Sequence, residues 1–366
     1  MTAETPPGVC LIGCGWWGAV HALALKRQGR RIRRYYASRN IEHARDFAQR
    51  FDGQAFESAH RALADPAVDA VVIALPHDLQ TDMAERALRA GKHVLIEKPL
   101  AVDLSSAERV VRVAKESGRC LAVAEEYRLS PLVQAARALI RQGVIGRVLW
   151  VNVAAAGVHR PVQHWKNQRA SMGGGVLIDV GVHYIDILRF WLGEPELVWA
   201  AYPPHLNEQF EGEDSVVAML RFEGGVMATI VLSWSSHRSP SAPHIEVSGA
   251  LGSIELRFDR PFLLHYAPLS QHHWSHHFKA AVPWRVSSRI SRFLPKAGKR
   301  RIQVRNQDLI GSEALIDDFI EAITTGRAPA VPGVEGLEDL RVVLAAYRAA
   351  ETGVPITLER ALRTSR

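Results

Sequence analysis

Three side chains have both the type and the setting to move protons. Lys98 stands in Glu97-Lys98-Pro99, directly after the apolar run His93-Val94-Leu95-Ile96. Asp179 and His183, with Asp186 beyond them, recur at i, i+4 and i+7, which on a helix is one face. An ammonium can stabilise negative charge growing on an oxygen. An imidazole can trade a proton near neutral pH, and a carboxylate one turn away can orient its ring. The same spacing also describes a solvated polar face with an ordinary ion pair. A lysine at a strand end is commonly a solvated charge, but here Glu97 offers it a partner. Pro99 restricts the backbone and permits a cis bond.

A second constellation is built to hold an anion. Val9-Cys10-Leu11-Ile12 leads into Gly13-Cys14-Gly15-Trp16-Trp17-Gly18, and a helix-like stretch follows. Strand, G-x-G-x-x-G and helix are the setting of a dinucleotide-binding turn. Gly13 permits the turn, Gly15 lets backbone approach a pyrophosphate, and Gly18 allows close helix–strand packing. Such turns commonly have an acidic residue after the second strand to hold the ribose hydroxyls. Here the chain reads Ala37-Ser38-Arg39-Asn40. Ser38 and the planar guanidinium of Arg39 suit a 2′-phosphate, which favours NADP over NAD.

The elements that position these groups follow from periodicity. Strands are predicted over 9–12, 32–37, 70–75, 93–96 and 120–124, alternating with helices over 42–50, 78–90 and 104–117. Asp78 is a candidate cap, and the third of these helices follows Asp103. Alternation of this kind implies a parallel sheet whose ligands bind at the carboxyl ends of its strands, so the glycine turn and Lys98 share one cleft. A strand over 148–155 follows an amphipathic helix over 130–142. The next loop carries His159, Arg160, His164, Trp165 and Lys166, suited to closing over a polar substrate or to a plain surface loop. Gly173-Gly174-Gly175 opens a helix over 176–192 and would clear room for a bulky ligand. Strands over 197–201, 214–222, 225–234, 244–248 and 252–257 imply a largely antiparallel sheet, and helices over 312–325 and 337–352 close the chain. The expected class is α/β, with a Rossmann domain over 1–125 and a substrate and oligomerisation domain over 126–366.

Composition narrows the class. The 366 residues carry a net charge of +7, a sign that suits an anionic ligand. No apolar run approaches the ~20 residues of a membrane span, and the first residues lack a signal-peptide pattern. Cys10, Cys14 and Cys120 read as buried thiols of a cytoplasmic protein. Residues 262–307 are atypical and look like loop. They hold His272-His273 and His276-His277 without a nearby cysteine, which is poor material for a metal site. They also hold a helix-like stretch with Val286, Ile290, Phe293 and Leu294 on one face and Arg285, Arg289, Arg292 and Lys296 on another. Residues 285–305 could touch an anionic membrane or polyanion, cover the sheet edge, or pair with another subunit. No motif for specific nucleic-acid recognition is present.

Taken together, three stretches resemble the Gfo/Idh/MocA oxidoreductase family: Gly13 to Gly18, Ala90-Gly91-Lys92-His93-Val94-Leu95-Ile96-Glu97-Lys98-Pro99-Leu100, and Gly173 through Asp186. The resemblance implies a Rossmann domain and a C-terminal α/β domain whose open sheet forms dimer or tetramer contacts. It implies NAD(H) or NADP(H) chemistry on sugars, inositols, nucleotide sugars or related alcohols. Lys98 matches the lysine near the nicotinamide and the reacting oxygen, and Asp179 and His183 match the catalytic pair. Cofactor contacts are expected from Gly13, Gly15, Trp16, Trp17, Gly18, Ser38, Arg39, Pro76, His77, Glu97 and Lys98. Substrate contacts are expected from Lys98, His164, Trp165, Asp179 and His183. His77 and Gln80 depart from the Asn and His common in the family. The primary reading is a dehydrogenase in which His183 exchanges the proton, Asp179 orients it and Lys98 steadies the oxygen, roles that Lys98 and His183 could swap. A hydrolase or lyase using transient oxidation, and a non-enzymatic cofactor sensor, are the rival classes.

Overall fold

The structure is a computed structural model that describes residues 5–158, 164–236, 243–266, 299–303 and 308–359. Among them, β1 (Gly8–Ile12), β2 (Arg33–Ala37), β3 (Gln54–Phe56), β4 (Ala70–Ile73), β5 (His93–Glu97) and β6 (Leu121–Ala124) form one parallel sheet. Its order is β3-β2-β1-β4-β5-β6. Strands β1, β4 and β6 are buried along their whole length, which is why they read as unbroken apolar runs rather than alternating ones. Helices α1 (Trp16–Arg27), α2 (Ile41–Phe51), α3 (Ala59–Ala64), α4 (His77–Arg89) and α5 (Leu104–Ser117) connect them. Asp103 caps α5 by accepting from the Ser106 amide. Asp78 caps nothing: α4 starts one residue earlier, after Pro76. Strand order reverses at β1 and β4, which opens a crevice over their carboxyl ends.

The second sheet joins β7 (Val148–Ala156), β8 (Pro195–Ala201), β9 (Ser215–Phe222), β10 (Met227–Ser233), β11 (His244–Gly249), β12 (Gly252–Arg257), β13 (Phe262–Tyr266), β14 (Lys299–Gln303) and β15 (Ile356–Thr357). The order is β14-β13-β12-β11-β7-β10-β9-β8-β15, antiparallel except between β7 and β10. Along β9, buried Val216, Ala218, Leu220 and Phe222 alternate with less buried Val217, Met219 and Arg221, so one face packs and the other is open.

Two expectations need correction. The atypical stretch 262–307 is not all loop: its two ends pair as β13 and β14 at the sheet edge. Its histidine cluster and the helical faces over 285–296 lie outside the described residues. The helix over 176–192 begins as a π-turn, Leu177–Gly181, before α-helix resumes over Val182–Leu192. Packing also crosses from the second half of the chain to the first. Helix Ser312–Thr325 returns to α1, where Gln28 donates to Asp317 at 2.9 Å. Leu315, Ile316, Phe319 and Ile320 there share an apolar cluster with Val9, Leu11 and Leu25.

Candidate active site

A cleft of about 750 Å³ runs along the carboxyl edge of the parallel sheet. Gly13, Gly15, Trp16, Trp17, Gly18, Ser38, Arg39, Pro76, His77, Glu97, Lys98, Trp165 and Asp179 line it, joined by His43 and Lys166. Gly13 has φ +111°, and a Cβ there would stand 2.1 Å from the Ala74 carbonyl oxygen. Gly15 instead has open space beside it, and α1 begins at the next residue. A bare backbone wall and the free N–H groups of a helix start suit a pyrophosphate, so these residues fit a dinucleotide. Ser38 and Arg39 follow β2 at the other end, beside the exposed His43.

Lys98 is delivered by the end of β5. The Lys98–Pro99 bond is cis, and α4 anchors the loop: Gln80 donates to the Pro99 carbonyl and Thr81 to that of Leu100. Gln80 is thus wholly buried in a structural role, whereas His77 faces the cleft. Lys98 Nζ donates to the Asp179 carbonyl at 2.5 Å and to its carboxylate at 3.1 Å. Lys166 donates to the other carboxylate oxygen at 2.8 Å. Burial alone would discharge Lys98, but Asp179, Glu97, Glu126 and Glu125 outweigh it and hold its pKa above the lysine range. Burial likewise opposes the Asp179 charge, yet Lys98 and Lys166 keep that carboxyl well below its usual range.

His77 is neutral, because burial lowers it to about 4. Its Nδ1 lies 2.9 Å from the Met172 carbonyl, which can only accept, so Nδ1 carries the proton. Nε2 is left as an acceptor, 3.8 Å from Asp179. Trp165 packs on the His77 ring at 4.9 Å. His164 belongs to the same 3₁₀ turn, His164–Asn167, but its side chain lies outside the described residues.

The expected Asp179–His183 pair does not form. The stronger attraction of two ammonium groups takes Asp179 toward Lys98 and Lys166. His183 Nδ1 instead meets Glu125 Oε2 at 2.5 Å. Asp186 leaves the set altogether and pairs with Arg128 through two hydrogen bonds. His183 is buried and is not among the residues that line the cleft. The triple glycine admits protein rather than ligand. A Cβ at Gly174 would stand 2.1 Å from Tyr347 Oη, and one at Gly175 would stand 1.9 Å from the Glu213 carbonyl oxygen. Tyr347 Oη accepts from the Gly175 and Ile178 amides and donates to Glu213.

Glu125, Glu126 and the pairing role of Lys166 escaped the sequence reading. Glu125 and Glu126 directly follow β6, on the same carboxyl edge as Lys98, and that strand-end position was their available signal.

Comparison with known proteins follows the same division. Residues 8–125 match the model described as "Oxidoreductase family, NAD-binding Rossmann fold", and residues 137–358 match "Oxidoreductase family, C-terminal alpha/beta domain". The chain is 35% identical to a 1,5-anhydro-D-fructose reductase of Ensifer adhaerens over 55% of its own length and 61% of that protein's. It is 25% identical to an NADP(+) D-xylose 1-dehydrogenase of Haloarcula marismortui over 97% of this chain and 94% of that one. The WlbA dehydrogenase of Bordetella pertussis, solved with NADH and UDP-GlcNAcA, superposes with a TM-score of 0.80 at 25% identity, covering 99% of this chain and 100% of that one. With both of its domains matched in order, the chain belongs to the Gfo/Idh/MocA oxidoreductase family.

Proposed function

We propose that this chain is an NAD(P)-dependent dehydrogenase or reductase acting on a carbinol or carbonyl carbon of a polyhydroxylated substrate, namely a sugar, inositol, nucleotide sugar or related polyol. The observation that carries this reading is the charged Lys98–Asp179 pair at one end of a dinucleotide-sized cleft. The names of the reductase and the two dehydrogenases similar to this chain support the substrate class. When bound, the dinucleotide supplies the hydride acceptor or donor. The glycine turn and the start of α1 hold its pyrophosphate, and Ser38 and Arg39 favour the 2′-phosphate of NADP. Lys98 donates to the reacting oxygen and stabilises charge developing there. Held in its charged form, it serves poorly as a base, so proton exchange falls to His183, which lies off the cleft wall and must be reached by the reacting oxygen past Lys98. Asp179 fixes Lys98 and Lys166, His77 Nε2 accepts from a hydroxyl, and Trp165 walls the pocket.

The open face of the second sheet carries Trp150, Met219 and Val231, each at least one-third exposed, on adjacent strands. Such a flat apolar face favours a homodimer or tetramer through this sheet. Among the described residues, no helix is long and apolar enough to cross a membrane. Cys10, Cys14 and Cys120 are free thiols, which favours a cytoplasmic setting. A panel of aldoses, inositols, polyols and nucleotide sugars with NADP⁺ and NAD⁺, followed by the absorbance of reduced nicotinamide, tests the activity. Stoichiometric reduction with one class is expected, faster with NADP⁺. Substrate cleavage without net reduction would replace the reading with transient oxidation, and inertness toward the whole panel would end it.

A further inference from the structure

His183 is held from three sides. Tyr127 stacks on its ring with centroids 4.5 Å apart and planes 20° off parallel, and Phe258 stacks on Tyr127 at 4.6 Å. Nδ1 lies 2.5 Å from Glu125 Oε2. Two lone pairs do not approach that closely, so a proton lies in the contact. Nε2 is the ring's remaining nitrogen, 3.9 Å from Glu126 Oε1. Glu125 Oε1 and Glu126 Oε1 are buried without a hydrogen-bond partner among the described residues. The other charged groups that act on this cluster are Glu97 and Lys98 from the end of β5, Asp179 from the π-turn, and the Arg128–Asp186 pair. Tyr127 and Tyr184, the nearby phenols, are pushed above their usual range by burial.

These surroundings decide where a proton can rest. Burial presses His183 down to about 4, against the pull of Glu126, so an imidazolium is a poor resting place. Burial raises Glu125, and the charge of Asp186 adds to it; burial also lifts Glu126 to about 7. A proton arriving at this cluster is held better by a carboxylate than by the ring.

We propose that Glu125 is the positioning residue of His183: it fixes the ring's orientation and takes up the Nδ1 proton when Nε2 gains one. The proposal rests on the function proposed above. In the form of the pair that can accept a proton, Nδ1–H donates to the Glu125 carboxylate and Nε2 is bare. In the oxidising direction the substrate O–H bond breaks and Nε2–H forms, while Nδ1–H breaks and Glu125 Oε2–H forms. The ring is neutral before and after, and the lost charge is that of Glu125. The reducing direction runs the same two transfers backward. Asp179, bound to two lysines, takes no part in them.

The test uses the full-length protein labelled with ¹⁵N-histidine, with the His183 signals identified by their loss in His183→Gln. In the wild type, His183 should remain a neutral imidazole across the neutral pH range. Glu125→Gln keeps the shape but cannot accept the proton. It should change the ¹⁵N pair of His183 and lower kcat on the best substrate of the panel by about ten- to hundredfold. KM and dinucleotide affinity should change little. Glu125→Asp should restore part of kcat, and it carries the same readouts if the glutamine variant fails to fold. An unchanged ¹⁵N pair, or a loss confined to KM, would overturn the proposal. If the panel yields no substrate, the functional reading fails by itself, while the ¹⁵N pair still decides whether Glu125 holds His183.

Discussion

At the adenosine end of the cleft Arg39 and His43 are exposed, and Ser38 is half-buried after β2. At the other end Lys98, Asp179 and His77, with His183 off the cleft wall, are each 4–5% exposed. Groups of the first kind keep their water, so each acts nearly alone. Groups of the second kind have lost theirs and depend on one another, because an unpaired buried charge is costly. Cofactor preference is therefore open to single surface substitutions, whereas the chemistry is held by a set that must be kept whole.

The largest expected effect tests that interdependence. Lys98→Met should lower turnover by about 10²–10³. Adding Asp179→Asn to it should lower turnover little further, because the two act as one unit. Asp179→Asn combined with His183→Gln should come closer to the product of the single losses, because no hydrogen bond joins them. Steady-state rates for the singles and both doubles measure this. Equal coupling in the two doubles would dissolve the distinction between the Lys98–Asp179 and His183–Glu125 pairs.

A smaller effect is expected at the exposed end. Arg39→Ala should weaken NADP binding by about ten- to hundredfold, corresponding to charge-assisted hydrogen bonds worth roughly 1.5–3 kcal/mol, and leave NAD nearly unchanged. The melting temperature should not move. Fluorescence titration with both cofactors reads the first part. Parallel losses for NADP and NAD would mean that the guanidinium serves the adenine they share.

A last effect concerns stability and pH rather than turnover or cofactor binding. Burial raises Glu126 from 4.5 to about 7. Below the lower value, folded and unfolded chains both hold the proton. Between the two, the folded chain keeps a proton that the unfolded chain has released, so stability falls as pH rises and levels off above the upper value. The full penalty is at most about 3 kcal/mol for a shift of this size. Glu126→Gln should therefore gain stability over wild type at pH 8 and not at pH 4. Denaturant melts at both pH values check this, and an equal change at the two would mean that Glu126 carries no such burden.

Much of this molecule was legible in its sequence because the signals are local. Five apolar runs separated by helix-length stretches demand a parallel sheet, and its carboxyl edge had to gather the glycine turn, Arg39 and Lys98. Short pieces escaped: Gln54–Phe56 and Ile356–Thr357 have too few residues for a periodicity. The return of Ser312–Thr325 to α1 escaped for another reason, since an apolar helix face does not say which distant surface it will cover.

The sequence by itself determined which residues could do the chemistry and which edge would carry most of them; tertiary structure alone decided which of them are partners. Asp179 has His183 four residues away, but Lys98 reaches it from 81 residues away in the chain and Lys166 from 13. Glu125 reaches His183 across 58. The room at Gly174 and Gly175 is likewise taken by Tyr347, from a helix far along the chain, and by the Glu213 backbone, from the loop before β9. In a dry interior, opposite charges and short hydrogen bonds choose their partners by distance in space, and sequence spacing limits that choice only when nothing from elsewhere in the fold comes closer.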